Sequence, residues 1–204
     1  LAVLGAAGPG GSVADVTTRS LAAYRFYEEG LRAFYHNEWA VADRLFAAAL
    51  AEDSTFAMAA YYHAISARPS DVASDTMQMR FRRAIRLADR ASEREGLIIR
   101  SAWAATVSSP ERLVLAESLV TRYPDEVTGH LFLGRALIND GEHNAAVPHL
   151  RRAIDLDAHS LAGERAQCLG CAAVIELVHL YAIMDSLPAA EREARWWIER
   201  APSS

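Results

Sequence analysis

Lysine is absent from the 204 residues, and all 21 basic residues are arginine. This absence excludes mechanisms that need a lysine, such as Schiff-base formation or the lysine that holds nucleotide phosphates in a P-loop. No apolar run approaches the roughly 18 residues that span a bilayer. The formal net charge of −5 argues against general nucleic-acid binding. An ordinary globular composition remains, in which 51% of the residues are apolar.

Recognisable catalytic and metal-binding motifs are also missing. The sequence contains neither the H-E-x-x-H pattern of zinc proteases nor the G-x-S-x-G pattern of hydrolases. Its seven histidines are scattered over different predicted helices, and its two cysteines cannot complete a four-cysteine zinc site. We therefore expect no metal site, no cofactor and no enzymatic activity.

The two cysteines form a C-x-x-C pattern, Cys168 and Cys171. Alanine follows where covalent haem attachment needs histidine, and the helical surroundings lack the βαβ context of a thioredoxin-like site. Two interpretations stay open. The cysteines are either small buried thiols at a helix-packing surface or a disulfide or redox-responsive pair. The helical setting favours the first.

Alanine and helical periodicity dominate what is present. The chain contains 40 alanines, and from residue 17 onward the apolar residues recur every three or four positions without the β-branched runs of strands. Turn-forming residues cut the chain into helices of roughly 12 to 17 residues joined by short turns. These breaks fall at 37–38, 68–71, 108–110, 123–125, 140–141, 185–186 and 201–202. The pattern predicts an all-α fold of stacked antiparallel helix pairs.

The helix pairs repeat in phase. Gly30 and Gly134 are each followed sixteen residues later by a large apolar residue, Phe46 and Leu150. The turn residues at the same place within their units are Asn37, Gly141 and Asp185. Alanine matches small positions by chance in a chain this rich in it, so the turns and the large residues carry the repeat assignment.

The unit at 131–157 runs from a Leu-Phe-Leu-Gly sequence in its first helix to Ala, Leu and Ala in its second. It resembles the tetratricopeptide repeat family, whose unit has about 34 residues. The resemblance is to repeat regions of large bacterial signalling proteins. It implies an α-α solenoid, a right-handed superhelix of about five helix pairs. The expected units are 23–56, 57–92, 93–126, 127–160 and 171–204, with a linker or extension at 1–19 and an insertion at 161–170.

Some positions depart from the repeat. The unit at 93–126 is degenerate, because Arg112 stands where a small residue is expected. Pro148 lies inside a predicted second helix and is expected to kink or restart it. We expect the large residues of the second helices to fill the space between neighbouring pairs. These residues are Phe46, Phe81, Leu150 and Trp197.

In this family the first helices line a concave groove that commonly holds a peptide or helix of a partner. The groove candidates are Tyr24, Tyr27, Leu31, Phe34, Tyr35, Tyr61, Ile65, Arg135, Ile138, Asn139, Ile175 and His179. Aromatic residues dominate the N-terminal part of this set and suit rigid anchoring contacts. The alternative is that several of them pack against the next helix. The lysine-based carboxylate clamp of the family is not expected.

A second candidate surface is a basic stripe on one helix. The stripe consists of Arg82, Arg83, Arg86 and Arg90. Helical spacing places these residues on the solvent side, where they could dock an acidic partner or anionic lipid headgroups. The alternative is a solvated face whose arginines pair with neighbours such as Asp89 and Glu93.

The sequence favours a non-catalytic interaction module or scaffold that binds a protein segment in its groove. One alternative is a structural accessory subunit of a larger, membrane-associated assembly, and another is a redox-responsive protein that uses the two cysteines. No nucleic-acid partner is expected, and membrane contact would come only through an upstream segment or the assembly. The apolar first residues and the missing Met favour a periplasmic or other extracytoplasmic location over a cytoplasmic one.

Overall fold

The computed structural model of the chain describes residues 18–67, 73–158 and 168–200. Most of the predicted N-terminal extension (1–17), the break at 68–71, most of the insertion at 161–170 and the break at 201–202 lie outside these residues. Within them, all ten elements of regular secondary structure are α-helices. None of the ten described helices combines the length and apolar character needed to cross a membrane.

The helices follow one another with short connections and are numbered in chain order. They are α1 (Leu21–Tyr35), α2 (Trp39–Glu52), α3 (Ala57–Ser66), α4 (Ala73–Ala88), α5 (Glu93–Thr106), α6 (Arg112–Arg122), α7 (Val127–Asn139), α8 (His143–Leu156), α9 (Leu169–Ile183) and α10 (Leu187–Arg200).

The helices form five pairs that stack along the chain. Each helix packs against the next, and the first helices of successive pairs also contact one another, α1 with α3, α3 with α5, α5 with α7 and α7 with α9. The second helices make no comparable contacts among the described residues. Because the first helices lie closer together, the stack curves with these helices on its inner face. The predicted all-α solenoid of helix pairs is confirmed.

Four helix pairs use the same turn between their helices, and most of the connection between α3 and α4 lies outside the described residues. Asn37, Ser108, Gly141 and Asp185 have a positive φ, between 51° and 81°. In each case the next residue donates its backbone N–H to a carbonyl five residues earlier, at 2.8–2.9 Å. This is the Schellman pattern that ends a helix with a left-handed residue. The degenerate unit at 93–126 therefore keeps the turn even though its side chains depart from the repeat.

Large side chains of the second helices pack against small residues of the first helices. A Cβ atom on Gly30 would lie 2.7 Å from Phe46, and one on Gly134 would lie 2.6 Å from Leu150. Phe46, Phe81 and Leu150 are buried as predicted. Trp197 also packs against the core of the last described pairs, although its side chain is only half-buried.

The helix α8 runs through Pro148 without interruption, so the predicted restart is wrong. The proline removes one helical hydrogen bond, which Pro148 would otherwise donate to the carbonyl of Asn144. Asn144 and Pro148 are both exposed. Water can therefore satisfy the carbonyl, and the helix tolerates the loss.

Candidate functional site

A pocket of about 280 Å³ opens on the inner face of the stack. Its lining comes mainly from the first helices α1, α3, α5 and α7, with further contributions from α4 and α6. The lining residues are Phe34, Tyr61, Ile65, Phe81, Ser101, Ala102, Ala105, Thr106, Arg112, Phe132, Arg135, Ala136 and Asn139. The pocket thus joins the N-terminal and C-terminal halves of the solenoid at its concave side.

Five predicted groove residues meet at this pocket: Phe34, Tyr61, Ile65, Arg135 and Asn139. They come from three first helices that are far apart in sequence. The curvature of the stack brings them together, because each helix pair repeats the same orientation.

Other predicted groove residues serve the core. Leu31 is buried, and the Tyr27 ring lies 4.8 Å from that of Phe56. The Tyr35 hydroxyl forms a 3.1 Å hydrogen bond with the hydroxyl of Tyr62. For Tyr27, Leu31 and Tyr35, the alternative of packing against neighbouring helices is what the structure shows.

The remaining predicted groove residues lie outside the pocket lining. Tyr24 is half-buried on α1 and donates a 2.8 Å hydrogen bond to Glu28. Ile138 is half-buried, whereas Ile175 and His179 are exposed on α9. Ile175 and His179 lie on α9, which contributes no residue to the described pocket lining.

Burial sets the protonation of the tyrosines near the groove. It raises the pKa of Tyr61 to about 12, and the positive charge of Arg135 partly offsets the rise. Burial also raises the pKa of Tyr27 and of Tyr62 well above 10. All three hydroxyls are therefore neutral at physiological pH.

The charged groups in the pocket lining are both arginines. Arg135 donates from its Nε to Glu176 at 2.8 Å, and Arg112 pairs with Asp140 and donates to the Ser109 carbonyl at 3.2 Å. Neither carboxylate belongs to the described lining of the pocket. The described lining therefore carries two positively charged groups, and the carboxylates that pair with them lie outside it.

Two buried polar atoms of the lining lack a hydrogen-bond partner among the described residues. These atoms are the Oγ of Ser101 and the Nε of Arg112. Ser101 is only 2% exposed. An unsatisfied buried donor costs free energy, so such atoms occur where something else can satisfy them.

Reasoning from sequence missed the lining residues of α5 and α6, among them Ser101, Ala105, Thr106 and Arg112. The degenerate unit offered no side-chain pattern with which to align them. The turn could have aligned this unit with the others. Counted back from the equivalent turn residues Ser108 and Gly141, Thr106 corresponds to Asn139. By the same count, Ala102 corresponds to Arg135.

The repeated turn, the small-to-large contacts and the groove on the first helices together define the fold. The described residues form a tetratricopeptide-like solenoid.

Comparisons with known proteins give similar folds at low sequence identity. No family model and no curated protein matches the chain. The crystal structure of YrrB, a TPR protein with an unusual peptide-binding site, is 16% identical, with a TM-score of 0.48 over 89% of this chain and 87% of YrrB. MamA from Desulfovibrio magneticus RS-1, from residue 41 to its end, is 14% identical. Its TM-score is 0.47, over 89% of this chain and 96% of MamA.

The predicted basic stripe lies on α4 and the turn after it, on the outer side of the solenoid. Arg82, Arg86 and Arg90 are exposed, whereas Arg83 is half-buried and donates to the Ser54 carbonyl at 3.1 Å. The expected pairing of the stripe with Asp89 and Glu93 is wrong. These carboxylates pair with Arg100 and Arg122, which reach them from α5 and α6.

The structure joins Cys168 and Cys171 in a disulfide at the start of α9. Both residues are half-buried, and the Cys171 N–H donates to the Cys168 sulfur at 3.2 Å. The interpretation as two separate buried thiols is therefore wrong. The cysteines close the first turn of the helix that begins the last described pair of the solenoid.

Proposed function

We propose that this solenoid is a non-catalytic interaction module whose inner face binds a segment of a partner protein. The observation that carries the proposal is the pocket at the join of the two halves. It brings aromatic walls together with unsatisfied hydrogen-bond donors, a combination typical of the buried centre of an interface. Segment binding would supply both the apolar surface and the missing acceptors.

A pocket-filling variant tests the proposal without disturbing the core. Ala105 is exposed and lines the pocket, so Ala105→Gln should obstruct the pocket while the fold is retained. Ala182 is exposed, lies outside the pocket lining and occupies the same position before its turn, three residues ahead of Asp185. Ala182→Gln is therefore a matched control.

The readout is capture of partners from a lysate of the source organism, quantified by mass spectrometry. We expect the wild type and Ala182→Gln to retain the same partner and Ala105→Gln to lose it. Equal capture by both variants, with unchanged circular dichroism, would show that the inner face is not the binding surface.

The last described pair favours a second candidate, a fixed structural subunit. Leu187 and Ile198 of α10 and Ile183 of α9 are large apolar residues that are exposed, Ile198 by 73%. Such exposed apolar side chains suit permanent contact with a neighbouring subunit. Co-purification in fixed stoichiometry, sensitive to Ile198→Asp but not to Ala105→Gln, would favour this candidate over reversible segment binding.

A further inference from the structure

The walls of the inner-face pocket are apolar and partly aromatic. Phe34, Tyr61, Ile65, Phe81 and Phe132 enclose a space of about 280 Å³. This volume suits one compact group, about the size of a large side chain or a small organic molecule. Flat aromatic rings and branched apolar groups gain most from such walls.

The polar part of the lining consists largely of unused hydrogen-bond donors. The Nε of Arg112 and the hydroxyl of Ser101 are buried without partners, and Arg135 uses only its Nε. The amide of Asn139 lies exposed in the same lining. A guanidinium can donate but cannot accept, so the group that completes this surface must offer acceptor oxygens.

The charges favour an acceptor that is negatively charged. The lining contains two guanidinium groups and no carboxylate among the described residues. Asp140 and Glu176 pair with these arginines from outside the described lining, the Arg112 Nε is left without a partner, and Arg135 pairs through its Nε alone. Charge-assisted hydrogen bonds from these nitrogens to a carboxylate are stronger than bonds to a neutral carbonyl.

We propose that this pocket binds a carboxylate carried on an aromatic or branched apolar group. The proposal deepens the proposed function, since it names the chemical group that the groove takes. The same chemistry has two sources, a free small acid or an acidic group on the partner segment. Arg112, which breaks the repeat pattern, is then a binding residue of the degenerate unit.

Small acids of known composition test the chemistry directly. The probes are 3-phenylpropionate and its neutral analogue 3-phenylpropanamide. Binding is measured from the amide chemical shifts of the ¹⁵N-labelled 204-residue chain. We expect the acid to bind at least about tenfold more tightly than the amide. The shifts should centre on Ser101, Thr106, Arg135 and Asn139. Equal binding of the two probes, or shifts located elsewhere, would overturn the proposal.

Variants separate binding from folding. Arg112→Gln and Arg135→Gln should each weaken acid binding by about tenfold, whereas Arg152→Gln, which removes an exposed arginine outside the pocket lining, should not. Because Arg112→Gln also leaves Asp140 unpaired, Ser101→Ala provides a second measurement. It removes an unsatisfied hydroxyl, so it should weaken binding a few-fold without lowering the melting temperature. Wild-type affinity in all three pocket variants would contradict the assignment.

A peptide arm identifies the source of the carboxylate. A six-residue peptide with blocked ends and an internal Asp-Phe sequence is compared with its Asn-Phe counterpart and with free 3-phenylpropionate. Preference for the Asp peptide over the free acid assigns the site to a partner segment, and the reverse preference assigns it to a free acid. No preference for acid over amide in either form sinks the proposal. Because these assays use only the purified chain, their outcome is independent of partner capture.

Discussion

The two halves of the solenoid have the same backbone plan but different interiors. The core of α1–α6 is rich in aromatic rings, and the ring centroid of Tyr62 lies 5.4–5.8 Å from those of Tyr27, Phe34 and Phe46. The fully buried side chains of the α7–α10 core are aliphatic, and its two tryptophans are only half-buried. Both halves nonetheless place a glycine under a large residue of the second helix.

The repeat specifies where side chains meet rather than which side chains they are. Phe46 on Gly30 and Leu150 on Gly134 fill equivalent spaces with different shapes. Each pair needs its neighbour to bury this residue, so the stability of a solenoid is close to a sum of local terms. Variants at equivalent positions should therefore reveal how much each interior contributes.

Truncating the two equivalent large residues should have the largest effect. Phe46→Ala removes a fully buried ring that contacts Tyr27 and Tyr62, and should cost about 3–5 kcal/mol. Leu150→Ala removes an aliphatic side chain and should cost about 2–5 kcal/mol. Urea melts followed by circular dichroism measure both losses.

Hydrogen exchange shows where each loss is felt. If the interiors are local, Phe46→Ala should accelerate exchange mainly in α1–α4 and Leu150→Ala mainly in α7–α9. Uniform acceleration along the chain in both variants would show that the two interiors form one cooperative unit instead.

Adding one methyl group beneath these residues should have the next largest effect. Gly30→Ala and Gly134→Ala place a Cβ 2.7 Å and 2.6 Å from Phe46 and Leu150, so each should destabilise by about 1–3 kcal/mol. Helix propensity alone predicts the opposite sign, a gain of up to about 1 kcal/mol.

A double variant separates the clash from other causes. In Gly134→Ala/Leu150→Ala the added methyl group enters the space that Leu150 vacates. The double variant should therefore lose less stability than the sum of the losses in the two single variants. Strict additivity in urea melts would mean that the methyl group and Leu150 do not compete for this space. Gly129→Ala is the control. Its Cβ would lie 3.1 Å from the Leu119 side chain, so its cost should be smaller.

Most of the fold could be predicted from the sequence because the same pattern of turns and large residues occurs in several units. Asn37, Gly141 and Asp185 marked the turns in phase, and the spacing from glycine to large residue marked the packing. The last described pair was predicted less well. Trp197 matched the repeat but is only half-buried, because burial depends on three-dimensional neighbours that a position within one unit does not reveal.

The pocket was predicted only in part, because its chemistry lies in the unit that departs from the repeat. Phe34, Tyr61 and Arg135 were predicted because the family resemblance places residues of the first helices along a groove. Ser101 and Arg112 did not, since they stand where the side-chain pattern fails. Whether a polar atom is left without a partner depends on three-dimensional neighbours, so no sequence pattern could have indicated it.

Removing the disulfide should have a modest effect, confined to the C-terminal half. Cys168 and Cys171 close a loop of only a few residues, so the loss of chain constraint in Cys168→Ser/Cys171→Ser should cost at most about 2 kcal/mol. Urea melts of the wild type with and without reductant measure the same quantity. Unchanged acid binding in the reduced protein is expected, because neither cysteine lines the pocket. A large change in binding on reduction would favour the redox-responsive alternative.

Acidification should weaken both halves slightly through one histidine in each. Burial lowers the pKa of His63 and of His149 below 6.5, helped by the charge of Arg80 on His63 and of His130 on His149. Because the unfolded chain binds these protons more readily, both contributions are complete above about pH 6.5. They are lost as the pH falls through 6.5 towards the folded-state values.

His149 also takes part in a contact between helices of one pair. Its Nδ1 lies 3.2 Å from the Nδ1 of His130, whose Nε2 lies 2.9 Å from the Pro124 carbonyl. If His130 donates from its Nε2 to that carbonyl, its Nδ1 accepts a hydrogen bond from the Nδ1–H of His149 when both rings are neutral. His149→Gln can still donate but cannot titrate, so it should lose less stability than the wild type between pH 7.5 and 5.5. The control variant His36→Gln, at an exposed position, should lose as much stability as the wild type. Equal losses of stability in all three proteins would show that His149 does not contribute to the acid sensitivity.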